Sequence, residues 1–474
     1  MSIQLSDPLP RLHQMQTADL PVHGGRTLAY VFDSGVPTVD EIGRQAVAAY
    51  AGSNGLDPTA FPSLLQMENE LVGMATDLVD APATAVGSVT SGGTESVLLA
   101  VVTARDSRPD ISRPNMVMPS TAHACFHKAA RYFGVEKVIV PVGADFRADA
   151  KAMAAAIDEN TVLVVASAPS YAHGVVDPVP DIAAAAAAAG VRCHVDACIG
   201  GWVLPFAKHL GREVPPWTFA VDGVTSISLD THKYGYAPKG TSLLLHRTPV
   251  LRLPQFTANA SWPGYTVINS TIQSTKSGGP LAGAWAVAQA LGMDGYTTLA
   301  GQVFAGVDAV VAAIESQEHL RLVARPDAAL VVFTTDDTLD PFSLCDAMIE
   351  RGWFVQPQLS YAGEPASVHL SLSAGTLASI PQFLSALNDA VAACVASGPI
   401  VVDPALAAMV RAIEPETLTG EQFVGLLTAA NLVSAGSALP ERMGPVNALL
   451  DVATAKVRER ILILFLDLLS RPSR

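Results

Sequence analysis

The chain is short of several things that define other classes of protein. Its five cysteines, at 125, 193, 198, 345 and 394, form no Cys-x-x-Cys pair. That argues against a disulfide framework and gives no metal-ligand spacing, and it fits reduced thiols in a cytosol. Basic residues are scarce, 29 Lys and Arg against 44 Asp and Glu for a net charge of −15, so no nucleic-acid partner is expected. The opening Met1-Ser-Ile-Gln-Leu-Ser-Asp-Pro has neither a basic start nor an apolar stretch, and no signal peptide is expected from it. No uninterrupted apolar run approaches the roughly 18 residues that suggest a spanning helix. The longest near the end, Ile461 to Leu469, is broken by Asp467. These absences predict a soluble, cytoplasmic protein without a transmembrane segment.

What is abundant is apolar surface. Half of the 474 residues are hydrophobic, enough for a large core and two domains or more. From about residue 84 to 246, apolar strands alternate with helix-like stretches: Met116-Val-Met, Lys137-Val-Ile-Val, Thr161-Val-Leu-Val-Val-Ala, Val191-Arg-Cys-His-Val, Val224-Thr-Ser-Ile-Ser and Thr241-Ser-Leu-Leu-Leu-His. Near-continuous apolar strands joined by helical crossovers predict an α/β fold with a mostly parallel sheet covered on both faces. The seven-alanine run Ala183 to Ala189, behind the candidate cap Asp181, reads as a helix packed closely on that sheet. A long helix from about Ala282 to 317 should lead to a smaller αβ unit with strands at Ala328-Ala-Leu-Val-Val-Phe, Trp353-Phe-Val-Gln and Val368-His-Leu-Ser-Leu-Ser. His369 alternates with apolar neighbours and reads as structural. Helices should follow beyond Pro399, the last from about Val446 to Leu469. The expected division is an N-terminal segment 1–60, a large domain 61–295, and a small domain 296–474 with a helical extension from about 400.

Four segments carry the chemistry. Ser228-Leu-Asp-Thr-His-Lys-Tyr-Gly-Tyr-Ala-Pro-Lys-Gly-Thr-Ser242 presents Lys233 in a turn after an apolar strand. That is how a lysine is offered to the aldehyde of pyridoxal phosphate, in a pocket expected to lower its pKa. Thr90-Ser-Gly-Gly-Thr-Glu-Ser96 sits between a strand and a helix. Gly92, Gly93 and Thr94 would let a phosphate approach the backbone and the helix N-terminus. Val191-Arg-Cys-His-Val-Asp-Ala-Cys-Ile-Gly-Gly201 ends a strand on Asp196, a carboxylate placed to keep a pyridine nitrogen protonated. Pro119-Ser-Thr-Ala-His-Ala-Cys-Phe-His-Lys-Ala-Ala130 puts His123 in a loop, where its ring could stack on a cofactor. Singly, each has an ordinary explanation: a solvated turn lysine, a capped Gly-Gly turn, a turn-capping aspartate, a core histidine. Their joint order reverses that judgement.

In that order the four segments resemble the group II pyridoxal-phosphate-dependent decarboxylases, and most closely the sphingosine-1-phosphate lyase family. Phe61-Pro-Ser-Leu-Leu-Gln-Met-Glu-Asn-Glu-Leu-Val and Pro169-Ser-Tyr-Ala-His-Gly-Val-Val-Asp-Pro extend the likeness, which covers about residues 20 to 395. The resemblance implies a fold-type I enzyme with a seven-stranded sheet, working as a homodimer with its site at the subunit interface. It makes Lys233 the Schiff-base lysine, His123 the stacking residue and Asp196 the partner of the pyridine nitrogen. The cofactor phosphate would lie against Gly92, Gly93, Thr94 and His232, with Thr275, Ser277 and Gly278 completing the cup of a neighbouring subunit. Tyr30 and Lys239 would face the substrate, and Tyr30, Lys239 and Tyr234 are candidate proton-transfer groups. Asp57 stands where the family carries a histidine for the substrate phosphate, and a carboxylate there would repel a dianion. Lys276 stands where the family has arginine. The implied reaction breaks the carbon–carbon bond of a long-chain amino alcohol to give an aldehyde. The alternatives are an amino-acid decarboxylase, for which no arginine announces itself, and a catalytically silent cofactor-binding protein.

Overall fold

In the computed structural model, which describes residues 6–429, 442–470 and 472, seven strands form the central sheet. They are β1 (Val86–Thr90), β2 (Asn115–Pro119), β3 (Glu136–Val140), β4 (Thr161–Ser167), β5 (Arg192–Asp196), β6 (Val224–Leu229) and β7 (Ser242–His246). Their spatial order is β1-β7-β6-β5-β4-β2-β3, with β7 antiparallel to both neighbours and the other pairs parallel. β2, β4 and β7 are buried along their whole length, as helices on both faces require and as their unbroken apolar runs predict. The register brings Ser167 of β4 beside Asp196 of β5, and Asp196 beside Ser228 of β6. Three polar residues thus meet at the strands' carboxyl ends, where sheets of this kind bind ligands.

A hairpin of β8 (Thr257–Asn259) and β9 (Val267–Asn269) precedes the long helix Gly278–Ser316, which kinks at Gly292. By length and a mean hydropathy of 1.5 this helix is long and apolar enough to cross a membrane, although polar residues such as Gln289 and Asp294 interrupt its apolar runs. Its Leu281, Val287, Val303, Val307 and Val310 are buried in the protein core. It leads to a four-stranded antiparallel sheet of β10 (Leu320–Leu322), β11 (Leu330–Thr335), β12 (Gln356–Gln358) and β13 (Ser367–Ser371), ordered β10-β11-β13-β12.

Three expectations need correction. The strand expected at Trp353 begins only at Gln356, because Trp353 turns into the core against Phe383 and Phe354 pairs instead with Thr27 of the N-terminal segment. Asp181 lies inside the first turn of the alanine helix Val179–Ala188, whose cap position is Pro178. The last helix is two, Gly444–Val452 and Ala455–Leu469, separated where Ala453 is extended and Thr454 accepts the Val457 N–H as a new cap.

Candidate active site

A cavity of about 340 Å³ opens at the carboxyl ends of β4, β5 and β6 and collects seven of the residues singled out from sequence: Gly92, Gly93, Thr94, His123, Asp196, His232 and Lys233. Each is placed by a strand end or helix start. The helix Gly93–Asp106 begins directly on the Gly-Gly pair without a side-chain cap, so its first N–H groups are free for an anion. Gly92 sits at φ +156°, ψ 167°, a conformation side chains rarely adopt. At Gly93 a Cβ would fall 2.7 and 2.8 Å from the two Asp230 oxygens and 2.9 Å from Cys198 Sγ. Buried Glu95 braces this turn, accepting the N–H of Ser91 at 2.6 Å and of Gln273 at 3.1 Å.

Asp196 is held rather than free. Its Oδ1 accepts the Cys198 N–H at 3.1 Å and the Ser228 hydroxyl at 3.4 Å. Ser228 is in turn 3.2 Å from Nε2 of His194, whose Nδ1 lies 2.9 Å from Ser226 Oγ. Burial lowers the His194 pKa to about 4. A neutral buried imidazole thus orders the serine that orders the carboxylate. His123 accepts the Cys125 N–H at Nδ1 and meets Tyr171 edge-on at 6.1 Å. Tyr171 also lines the cavity. It donates to Gln356 Oε1 at 2.7 Å and stacks on buried His369, 4.5 Å between ring centres. His369 therefore acts from behind the site, as a structural residue.

The lysine pocket departs from expectation. Nζ of Lys233 lies 2.9 Å from Oδ2 of Asp230. Burial works to lower its pKa, but Asp230 more than reverses this and holds the ammonium well above the ordinary lysine range. For Asp230, burial pushes up and the charges of Lys233 and His232 pull down, leaving the carboxyl below its ordinary value. The sequence signal was Asp230 itself, three residues before Lys233 in the same short segment.

Other candidates lie elsewhere in the chain. Tyr30 is 60% exposed at φ +65° and outside the cavity. Its carbonyl accepts Lys239 Nζ at 3.0 Å, so Lys239 ties the N-terminal segment to the Lys233 turn. Burial, then the like charge of Lys233, lowers Lys239 to about 8. Asp57 is exposed and accepts the Thr59 N–H at 2.8 Å, capping its own turn. Exposed Thr275 and Ser277 and buried Gly278 also lie outside the cavity. Ser277 and Lys276 line a separate cavity of about 320 Å³ between Phe61 and Phe256. Lys276 pairs within its own chain, 2.7 Å from Glu68 Oε2. Tyr234 is 1% exposed and donates to the Leu372 carbonyl at 2.9 Å. A hydroxyl so enclosed cannot move protons at the cavity.

These residues fit pyridoxal phosphate: an amine for its aldehyde, a fixed carboxylate for its nitrogen, and a glycine cradle that any Cβ at position 93 would fill. The fold and site define a fold-type I pyridoxal-phosphate-binding protein. Residues 42–336 match the pyridoxal-dependent decarboxylase conserved domain, and residues 404–468 match the C-terminal putative HTH domain of pyridoxal-dependent enzymes. The chain belongs to the pyridoxal-dependent decarboxylase family. It is 38% identical over 365 residues to a sphingosine-1-phosphate lyase of Arabidopsis thaliana, a match covering 75% of this chain but only 66% of the plant protein. It is 30% identical to a probable L-tyrosine/L-aspartate decarboxylase of Methanothermobacter thermautotrophicus, over 70% of this chain and 88% of that one. A solved sphingosine-1-phosphate lyase of Burkholderia pseudomallei superposes with a TM-score of 0.78 at 30% identity, covering 84% of this chain and 93% of that one.

Proposed function

We propose that the protein is a pyridoxal-phosphate-dependent carbon–carbon lyase that cleaves a long-chain amino alcohol of the sphingosine-1-phosphate type to an aldehyde and an amino-alcohol fragment. The observation that carries this reading is the gathering of Lys233, Asp196, His123 and the Gly92–Thr94 cradle in one cavity, in a chain similar to sphingosine-1-phosphate lyases over three-quarters of its length. When bound, the cofactor supplies an acceptor for the electron pair released as a bond to the amine-bearing carbon breaks. Asp196, its plane set by Cys198 and Ser228, keeps the pyridine nitrogen charged. Thr94 and the free N–H groups beside it bind the phosphate, with His232 adjoining. His123 packs a ring face, and Lys233 returns a proton to the carbon from which the fragment has left. Lys239, joined by Tyr30, takes the anionic headgroup in this reading, as the likeness to sphingosine-1-phosphate lyases supports.

The same reading makes the active form a homodimer, in which Thr275, Ser277 and Gly278 of one subunit, and the turn holding Asp57, reach the other's site. Their position outside their own chain's cavity supports this. A cytoplasmic location is supported by five buried, unpaired thiols. The proposed division places the boundary between large and small domains near residue 295.

The test is a product assay of the purified, cofactor-loaded protein with sphingosine-1-phosphate and with the unphosphorylated amino alcohol. Aldehyde from the phosphorylated substrate, lost in Lys233→Ala together with covalent cofactor attachment, is expected. Release of CO₂ from an amino acid with no aldehyde would replace the lyase by the decarboxylase reading. Full turnover by Lys233→Ala would remove the mechanism.

A further inference from the structure

Asp230 ends the hydrogen-bonded run after β6 in a place where a charge is costly. It is 2% exposed, Oδ2 lies 2.9 Å from Lys233 Nζ and 3.6 Å from His232 Nε2, and Oδ1 accepts no well-formed hydrogen bond, the neighbouring Ser242 hydroxyl donating to the Leu229 carbonyl instead. A buried carboxylate is destabilising unless compensated, and one half-satisfied calls for an explanation in the site's chemistry. Its other side is closed by Gly93, whose Cα leaves no room for a Cβ against either oxygen. The acid is therefore clamped between the start of the phosphate-binding helix and the lysine.

We propose that Asp230 is a positioning residue that receives the Lys233 ammonium whenever that lysine is not bonded to the cofactor. This rests on the reading of Lys233 as the cofactor-bonding lysine. A substrate amine arrives as an ammonium and forms its carbon–nitrogen bond to the cofactor as the bond to Lys233 breaks. The substrate nitrogen loses as many protons in becoming an imine as the Lys233 nitrogen gains in becoming an ammonium, two when both imines are protonated, so the exchange balances without an outside acid. The new cation needs a partner inside the cavity, and Asp230 is 2.9 Å away. In the return direction Lys233 must leave Asp230 and lose a proton before its nitrogen can attack. Asp230 thus favours departure of the lysine over its premature return.

The other groups facing Lys233 do not replace this one. Asp196 ends β5 and Cys198 follows it, Tyr171 follows β4, Cys125 opens the helix Cys125–Phe133, and His232 and Lys239 share the lysine's own turn. Burial raises both thiols and the phenol above their ordinary values, so they stay neutral near pH 7. Lys239 repels. Among the described residues, Asp230 is the one acid in an ion pair with Lys233.

The experiment uses the full-length protein stripped of cofactor. It is mixed with saturating pyridoxal phosphate across a pH series, quenched with borohydride, and the labelled peptide is mapped by mass spectrometry. In the native protein the first-order labelling rate of Lys233 should rise about tenfold per pH unit with no plateau through about pH 9. In Asp230→Asn it should be at least about tenfold faster at neutral pH and level off earlier. Identical profiles overturn the proposal. If Asp230→Asn does not fold, the native profile decides, and a plateau below about pH 9 overturns it. Label on another lysine overturns the reading of Lys233 and this proposal with it. Label on Lys233 with an unchanged profile overturns the proposal alone.

Discussion

Gly93 shows how one missing methyl organises the site. A Cβ there would meet Asp230 and Cys198 below 3 Å, and neither neighbour has anywhere to go, being 2% and 8% exposed. Gly93→Ala must therefore push the helix start outward, away from the position in which its N–H groups converge. Cofactor affinity should fall at least about tenfold, on the order of 1.4 kcal/mol, while the fold is kept, as fluorescence titration against circular dichroism would show. Unchanged affinity would mean that the cradle is not at Gly93. Lys239 offers a test of charge rather than space. With its pKa lowered to about 8, it is cationic below that pH and neutral above. An anionic headgroup should then bind progressively more weakly as pH rises through about 8, with KM rising more than kcat falls. An unphosphorylated amino alcohol should show no such rise, and equal behaviour of the two substrates would take Lys239 out of headgroup recognition.

At the scale of elements, the strands of the large sheet were the most legible part of the chain. β4 and β7 are unbroken apolar runs bounded by turns, and their burial demands that composition. The three-residue strands β8, β9 and β10 left no signal, and β12 only the Gln356 end of the strand expected from Trp353, since so few residues set up no period and long-range pairing supplies their order. The cofactor cavity was legible because its residues lie in contiguous segments at strand ends. Asp230 was overlooked although it lies in the same segment as Lys233. His194 was overlooked because a histidine inside an apolar strand reveals nothing of the serines across from it. The placement of Asp57, Thr275, Ser277 and Gly278 away from their own chain's lysine depends on three-dimensional closure that local pattern does not encode. The kink in Gly278–Ser316 belongs to this scale too. Gly292 adopts φ +53°, ψ −172°, close to a region essentially reserved for glycine, and open space surrounds the site of its missing Cβ. Gly292→Ala therefore costs conformational strain alone, about 1–3 kcal/mol. A urea titration should show that loss with cofactor binding intact, and a neutral result would mean that the helix straightens without penalty.

For the whole molecule, buried titratable groups away from the reaction set its tolerance to acid. His194, His246 and His369 are 0%, 1% and 0% exposed, and burial lowers their pKa values to about 4, about 3 and about 4. In the unfolded chain each returns to the ordinary histidine value of 6.5. As pH falls below that value the unfolded state takes up protons that the folded state refuses. Folding stability is then lost at up to about 1.4 kcal/mol per pH unit for each group. Asp177 acts with the opposite sign. Buried between the Ala148 and Ser167 N–H groups, it is raised by burial to about 6 from 3.8. The folded state therefore takes up its proton first, and stability is regained as pH falls from about 6 towards 4. Three groups oppose one through that window, and above about 6 the histidines act without opposition. The urea midpoint of the cofactor-free protein should fall steadily between about pH 7 and about pH 5. A Asp177→Asn variant should fall more steeply below about pH 6, since the compensating proton is gone. A midpoint that is flat or rises on acidification would mean that the buried histidines are charged or hydrated in the folded protein, and that His194 is an imidazolium donating to both Ser226 Oγ and Ser228 Oγ rather than a neutral ring.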